Sequence, residues 1–246
     1  MNIKRHIPNA ITCGNLFCGC LAIVFAFNDD LAYSAMFVGI AAVLDFFDGF
    51  AARLLKVGGE MGKQLDSLAD MVTFGVVPGV MMFKLIRLGF YLNYHPQGFS
   101  FLPYGYSFIG FIITIFSAVR LAKFNIDTRQ TNSFIGVPTP ANSMLICSLP
   151  LIYASNPKSA FLILNPYLLI AVTIVMSYLL VAELPLFALK FKNFGWADNK
   201  IRYSFLIISV ILLILFQFIA IPFIIFLYIV LSVINNMMNK TKTAEH

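Results

Sequence analysis

Four aspartates sit where an apolar chain has least room for them. Asp45 and Asp48 lie in one long apolar stretch, and Asp66 and Asp70 in the next; these are four of the eleven acidic residues among 246. An ionised carboxylate near the centre of a membrane helix costs about 2.5–3.5 kcal/mol on insertion scales. Four at neighbouring depth need compensating positive charge, and Arg53 alone supplies too little. Divalent metal held by carboxylates from two helices meets that need. The spacing agrees. Asp45, Asp48 and Ala52 stand at i, i+3 and i+7 and share one helical face, with Gly49 on the same side. Gly62, Asp66 and Asp70 stand at i, i+4 and i+8 on a face of the following helix. The loop from Lys56 to Met61, containing Gly58-Gly59, is short enough to fold the two helices antiparallel and bring the acidic faces together.

Composition makes these membrane helices. The chain is 60% hydrophobic and 11% charged, with a mean hydropathy of +0.86, whereas soluble domains carry about 25% charged residues. Apolar runs read at about 20 residues per span give eight expected helices. They lie near 8–28, 31–55, 63–87, 103–124, 137–154, 166–189, 202–218 and 220–237. The last two are separated only by Ile219-Ala220-Ile221-Pro222. The fold expected is an all-α polytopic bundle of about eight transmembrane helices in a single domain, residues 1–246, with both termini cytoplasmic. With the N-terminus inside, 14 of the 17 Lys and Arg fall on inner segments and only Lys84, Arg87 and Lys158 on outer ends. That asymmetry sets the orientation and places the acidic site near the inner face. It also accounts for the net charge of +6 without nucleic acid, and the basic inner rim suits anionic lipid headgroups.

The basic, apolar N-terminus is read as a retained first helix, because Asn28-Asp29-Asp30 follows without a small-residue cleavage site and a second span begins at once. Cys13, Cys18, Cys20 and Cys147 lie in apolar spans without metal-ligand spacing and are read as small packing residues. His6, His95 and His246 are scattered. Tyr91, Tyr94 and Phe99 fit an interfacial role in the long outer loop, 89–102.

The string D-x2-D-G-x2-A-R-x8-G-x3-D-x3-D is met without a gap by Asp45, Asp48, Gly49, Ala52, Arg53, Gly62, Asp66 and Asp70. It resembles the signature of the CDP-alcohol phosphotransferase family. The resemblance implies an integral membrane enzyme, a homodimer, that moves a phosphoalcohol unit from a CDP-linked donor to a hydroxyl and releases CMP. Pro8-Asn9-Ala10-Ile11-Thr12 resembles the family's entry to the first span and makes Asn9 and Thr12 candidates for donor contacts; Asn9 reads equally well as an N-cap after Pro8.

Oxygen ligands without nearby His or Cys point to Mg2+ or Mn2+, and displacement at phosphorus suits two such ions. Asp45, Asp48 and Asp66 are the expected ligands. The resemblance makes Asp70 the general base, with a share in the second metal. Gly49 and Ala52 leave room for cytidine, and Arg53 suits a donor phosphate. Family members often place Ser or Thr six residues after that Arg; here the position is Gly59, whose backbone N–H, with that of Gly58, stands in as the donor contact.

Gln64–Pro78 resembles the branch that uses CDP-diacylglycerol and L-serine. The glycerol phosphate branch tends to have Pro and Lys after the third and fourth acids, where this chain has Ser67 and Met71. Ala118–Asn125 and Phe134–Ala141 extend the serine-branch likeness. Arg120, Lys123 and Asn125 are the expected serine-binding residues, with Arg129 a competitor for the carboxylate. The expected seat is the inner membrane of a prokaryote, active site facing the cytoplasm. The alternatives are the same chemistry on glycerol 3-phosphate or an inositol phosphate and, more distantly, a divalent-cation transporter. A transporter would place acids near the midplane with an outer exit path.

Overall fold

The structure is a computed structural model that describes residues 4, 6–94, 101–127, 133–187 and 195–244. Arg129, His95, Phe99 and His246 lie outside the described residues. Helix occupies each of the eight expected segments. Among the described residues, five helical stretches are long and apolar enough to cross a membrane, or six if the bent pair Pro157–Ile163 and Pro166–Val181 is one span. The chain is an integral membrane protein with an all-α fold. The fifth, seventh and eighth expected spans depart from the simple count. Helix α7 (Thr139–Ser155) has 17 residues. Helices α10 (Trp196–Phe216) and α11 (Ala220–Ala244) are parted only by a 3-10 turn that Gln217 opens at φ 49°.

Helices α1 (His6–Phe27) and α2 (Leu31–Leu54) form an antiparallel hairpin. Small residues let their backbones approach, as is usual between membrane helices: Ala22, Ala26, Val38 and Ala41 are fully buried. The Ser34 hydroxyl donates to the Ala22 carbonyl at 2.7 Å. At the turn, Lys84 pairs with Asp29 at 2.7 Å and donates to the Phe27 carbonyl.

The next span is α3 (Glu60–Asp70), one turn of π-helix (Met71–Val76) and α4 (Val77–Tyr94). It is the axis of the core: Phe74, Val77, Met81, Leu85 and Ile86 are fully buried. The π-turn starts directly after Asp70. Such single π-turns inside α-helices are frequent at functional sites; here Thr114 donates to the Gly75 carbonyl at 3.0 Å. The short helix α5 (Phe101–Ser107) leads through a 3-10 turn into α6 (Ile112–Ile126).

An antiparallel ribbon joins two distant loops. β1 (Ser133–Ile135) pairs with β2 (Pro185–Phe187), Phe134 opposite Leu186. Gly136 follows β1 at φ +75°, and a Cβ there would strike the Leu180 carbonyl, so only glycine fits. The one-turn helix α8 (Ala160–Ile163) precedes α9 (Pro166–Val181), which ends well short of the expected residue 189. Helix α11 reaches back to the ribbon: the Tyr228 hydroxyl donates to the Phe187 carbonyl at 2.9 Å, and both pack with Val137 and Phe205.

Candidate active site

The two acidic faces meet. Asp45, Asp48 and Asp66 each offer a carboxylate oxygen within 4.8 Å of the others. Asp48 is 6% exposed, and the other two are half-buried. Asp70, one turn beyond Asp66, lies in hydrogen-bonding reach of Asp45. Among the described residues, no Lys or Arg forms an ion pair with any of the four. Half-buried carboxylates gathered without a cation are costly. Their oxygen-only donor set, drawn from two helices, fits a hard divalent cation.

Helix α1 completes the site. The Thr12 hydroxyl lies 2.6 Å from Asp48 Oδ2 and 3.1 Å from the Pro8 carbonyl. It has one hydrogen to give, and the shorter, charge-assisted contact takes it. One turn on, Asn15 Nδ2 donates to Asp70 Oδ1 at 3.3 Å. Asn9 lies inside the first turns of α1, not at its cap. Its carboxamide faces Gly62, where a Cβ would come within 3.3 Å of Asn9 Oδ1. The N-cap reading of Asn9 is therefore set aside.

A cavity of about 660 Å³ opens beside the carboxylates. Asn9, Thr12, Asp48, Gly49, Ala52 and Gly59 all line it. Arg53 does not; it is exposed, with Nη1 close over Gly49. His6 and Lys63 line the cavity and carried no distinctive sequence signal.

A second cavity, about 330 Å³, lies beside the C-terminal end of α6. Arg120 and Lys123 face it from α6, Ile135 from the ribbon and Glu183 from beyond α9, with Asp127 beside them. Arg120 is 6% exposed, donates from Nη1 to Thr139 Oγ1 at 3.0 Å, and lies over the Phe124 ring. Its Nε has no partner among the described residues, and its charge is within electrostatic reach of Asp70. Thr139 and the Phe124 ring thus hold Arg120 at the wall of the second cavity. Asn125 is placed elsewhere. Its Nδ2 donates to Ser67 Oγ at 2.9 Å and its carbonyl accepts from Lys63 Nζ at 2.8 Å, tying the end of α6 to α3.

Asn15, Thr139 and Glu183 were missed in the sequence. Asn15 had a signal, a carboxamide one turn after Thr12 within an apolar helix. Thr139 lay in a stretch with the serine-branch likeness but carried no signal as a partner of Arg120, and Glu183 carried none; only the tertiary fold places Thr139 on Arg120 and Glu183 in its cavity.

Residues 5–181 match the CDP-alcohol phosphatidyltransferase family. The chain is similar to the CDP-diacylglycerol–serine O-phosphatidyltransferase of Bacillus subtilis (strain 168), at 35% identity over 184 residues, which is 73% of this chain and 89% of that protein. It is similar to the protein of the same name in Helicobacter pylori (strain J99), at 34% over 141 residues, 56% of this chain and 54% of that one. It is also similar to the archaetidylserine synthase of Methanothermobacter thermautotrophicus, at 26% over 173 residues, covering 69% of this chain and 66% of that one.

Proposed function

The chain belongs to the CDP-alcohol phosphatidyltransferase family, and we propose that it transfers the phosphatidyl group of CDP-diacylglycerol to the hydroxyl of L-serine, giving phosphatidylserine and CMP. The observation that carries the reading is the convergence of Asp45, Asp48 and Asp66 beside a cavity that Asp48, Gly49, Ala52, Gly62 and Asp66 of one motif help to line.

Asp45, Asp48 and Asp66, with a share from Asp70, would hold two Mg2+ or Mn2+ ions. Bound there, the metal neutralises the donor diphosphate and stabilises charge on the attacking and leaving oxygens. The larger cavity takes the cytidine end of the donor. Gly49 and Ala52 leave its wall flat, Asn9, Thr12 and the Gly58-Gly59 backbone offer polar contacts, and Arg53 reaches the donor phosphate from the rim. The serine Oγ attacks the phosphatidyl phosphorus; the new P–O bond forms as the bond to CMP breaks. Asp70 takes the hydroxyl proton, a role a carboxylate fills by geometry.

Serine is held from the second cavity, its carboxylate on Arg120 with Lys123 nearby. The lining supports this choice over a phosphate-bearing acceptor: Asp127 and Glu183 share the cavity with the two cations, a mixture that suits a zwitterion better than a dianion. Asn125 acts through Ser67 and Lys63, keeping that wall in register with α3.

The positive-inside count supports an active site facing the cytoplasm of a prokaryotic inner membrane. Family resemblance supports a homodimer. The bond from Tyr228 to Phe187 supports one domain, since it ties the last helix to the ribbon beside the second cavity. Mass spectrometry of the lipid formed from CDP-diacylglycerol and each candidate acceptor tests the reading. Phosphatidylserine is the expected product, and its absence with serine supplied would refute the proposal.

A further inference from the structure

The geometry points to Asn15 as a positioning residue for Asp70. This rests on the reading of Asp70 as the proton acceptor. Asn15 is fully buried in α1 and is held from both sides. Its Nδ2 donates to Asp70 Oδ1 at 3.3 Å, and its main-chain carbonyl accepts from Thr73 Oγ1 at 3.3 Å. Thr73 is itself fully buried on the π-turn that begins one residue after Asp70. It seats against Gly19, where a Cβ would collide with it. Asp70 is thus pinned through its side chain, and the turn that follows it is pinned through Thr73, both to the same residue of α1.

A packing role does not explain the carboxamide. Thr73 ties the π-turn to α1 through the Asn15 backbone, which any residue would supply. The Asn15 side chain adds one bond, to the carboxylate, and leaves its own Oδ1 with no partner among the described residues. A buried polar atom without a partner is unfavourable, so an apolar side chain of similar size would serve packing better. What the amide does is stop rotation of the Asp70 carboxylate about its broad terminal torsion. One oxygen is committed to Asn15, which fixes the plane in which the other meets Asp45 and the incoming proton. Partners that orient the ligating side chains of metal sites are typically worth about 10- to 100-fold in activity or metal affinity, and the same scale is expected here.

The test is steady-state kinetics on the full-length protein with CDP-diacylglycerol and serine, beside calorimetric Mn2+ binding without substrates. Asn15→Leu removes the donor at similar volume. Asn15→Asp keeps the shape and replaces the donor with a repelling oxygen, so it carries the decision if the leucine variant fails to fold. The expected result for either is a kcat lowered about 10- to 100-fold, with both KM values and Mn2+ affinity within about threefold of the parent. Gly19→Ala, which displaces Thr73 without touching Asn15, should lower kcat in the same pattern. Unchanged kcat in Asn15→Asp would overturn the proposal. So would a loss confined to donor KM or Mn2+ affinity, which would make Asn15 part of the donor or metal site. The two ideas fail separately: full turnover by Asp70→Asn sinks the base assignment, whereas turnover lost in Asp70→Asn but kept in Asn15→Asp sinks only the positioning role.

Discussion

Thr12 Oγ1 donates to Asp48 Oδ2 across 2.6 Å, so α1 holds a carboxylate of α2 in the orientation it presents to Asp45 and Asp66. The bond is buried at both ends, Thr12 being 4% and Asp48 6% exposed. Hydrogen bonds to charged groups contribute about 1.5–3 kcal/mol. Thr12→Val keeps the β-branched shape and removes the donor. It should weaken Mn2+ binding by roughly 10- to 100-fold, while Thr12→Ser stays close to the parent. Equal Mn2+ affinity in all three proteins by calorimetry would show that the bond does not set ligand geometry.

The carboxylates themselves should matter more. Asp45→Asn, Asp48→Asn and Asp66→Asn should each cost more than the roughly 100-fold upper range seen for groups that only orient ligands. EDTA should abolish turnover in the parent, and Mn2+ or Mg2+ should restore it. Full turnover in excess chelator would remove metal from the mechanism.

Much of this site is written locally. Asp45, Asp48, Asp66 and Asp70 fall on helical faces fixed by their spacing, and a hairpin of two helices brings those faces together whatever the remaining spans do. The π-turn after Asp70 was not legible. Met71–Val76 reads as ordinary apolar helix, and its geometry depends on partners far along the chain, such as Thr114 on Gly75 and Thr73 on Asn15. Arg120 was legible as a candidate, but its setting was not. Thr139 meets it from the start of α7, and Ile135 and Glu183 share its cavity at the β1–β2 ribbon, whose three-residue strands are too short to register as a pattern. Asn125 shows the opposite failure. It lies five residues after Arg120 and reads as a neighbour in function, yet its partners are Ser67 and Lys63 on α3.

Orientation is open to a direct check. Single cysteines at Lys56 and Lys158, both exposed, should label from opposite sides of the membrane in a background lacking the four native cysteines. Lys56 should react only from the cytoplasm and Lys158 only from outside. Labelling of the Lys56 position from outside intact cells would reverse the topology and move the donor site to the wrong face.

The two cavities predict separable kinetics. Arg53→Ala should raise the KM for CDP-diacylglycerol and leave that for serine nearly unchanged. Arg120→Ala should do the reverse, since loss of a charge-assisted partner costs about 1.5–3 kcal/mol, or roughly 10- to 150-fold in binding. If both substitutions shift only the donor KM, Arg120 contacts phosphate and serine sits elsewhere.

The central claim is that these carboxylates drive transfer to serine. CMP release by the purified protein, with CDP-diacylglycerol and Mn2+ present, measures it when L-serine, glycerol 3-phosphate and an inositol phosphate are compared at equal concentration. Serine should release CMP far faster than either phosphate-bearing acceptor, and Asp70→Asn should abolish that release. Faster release with glycerol 3-phosphate than with serine would contradict the account.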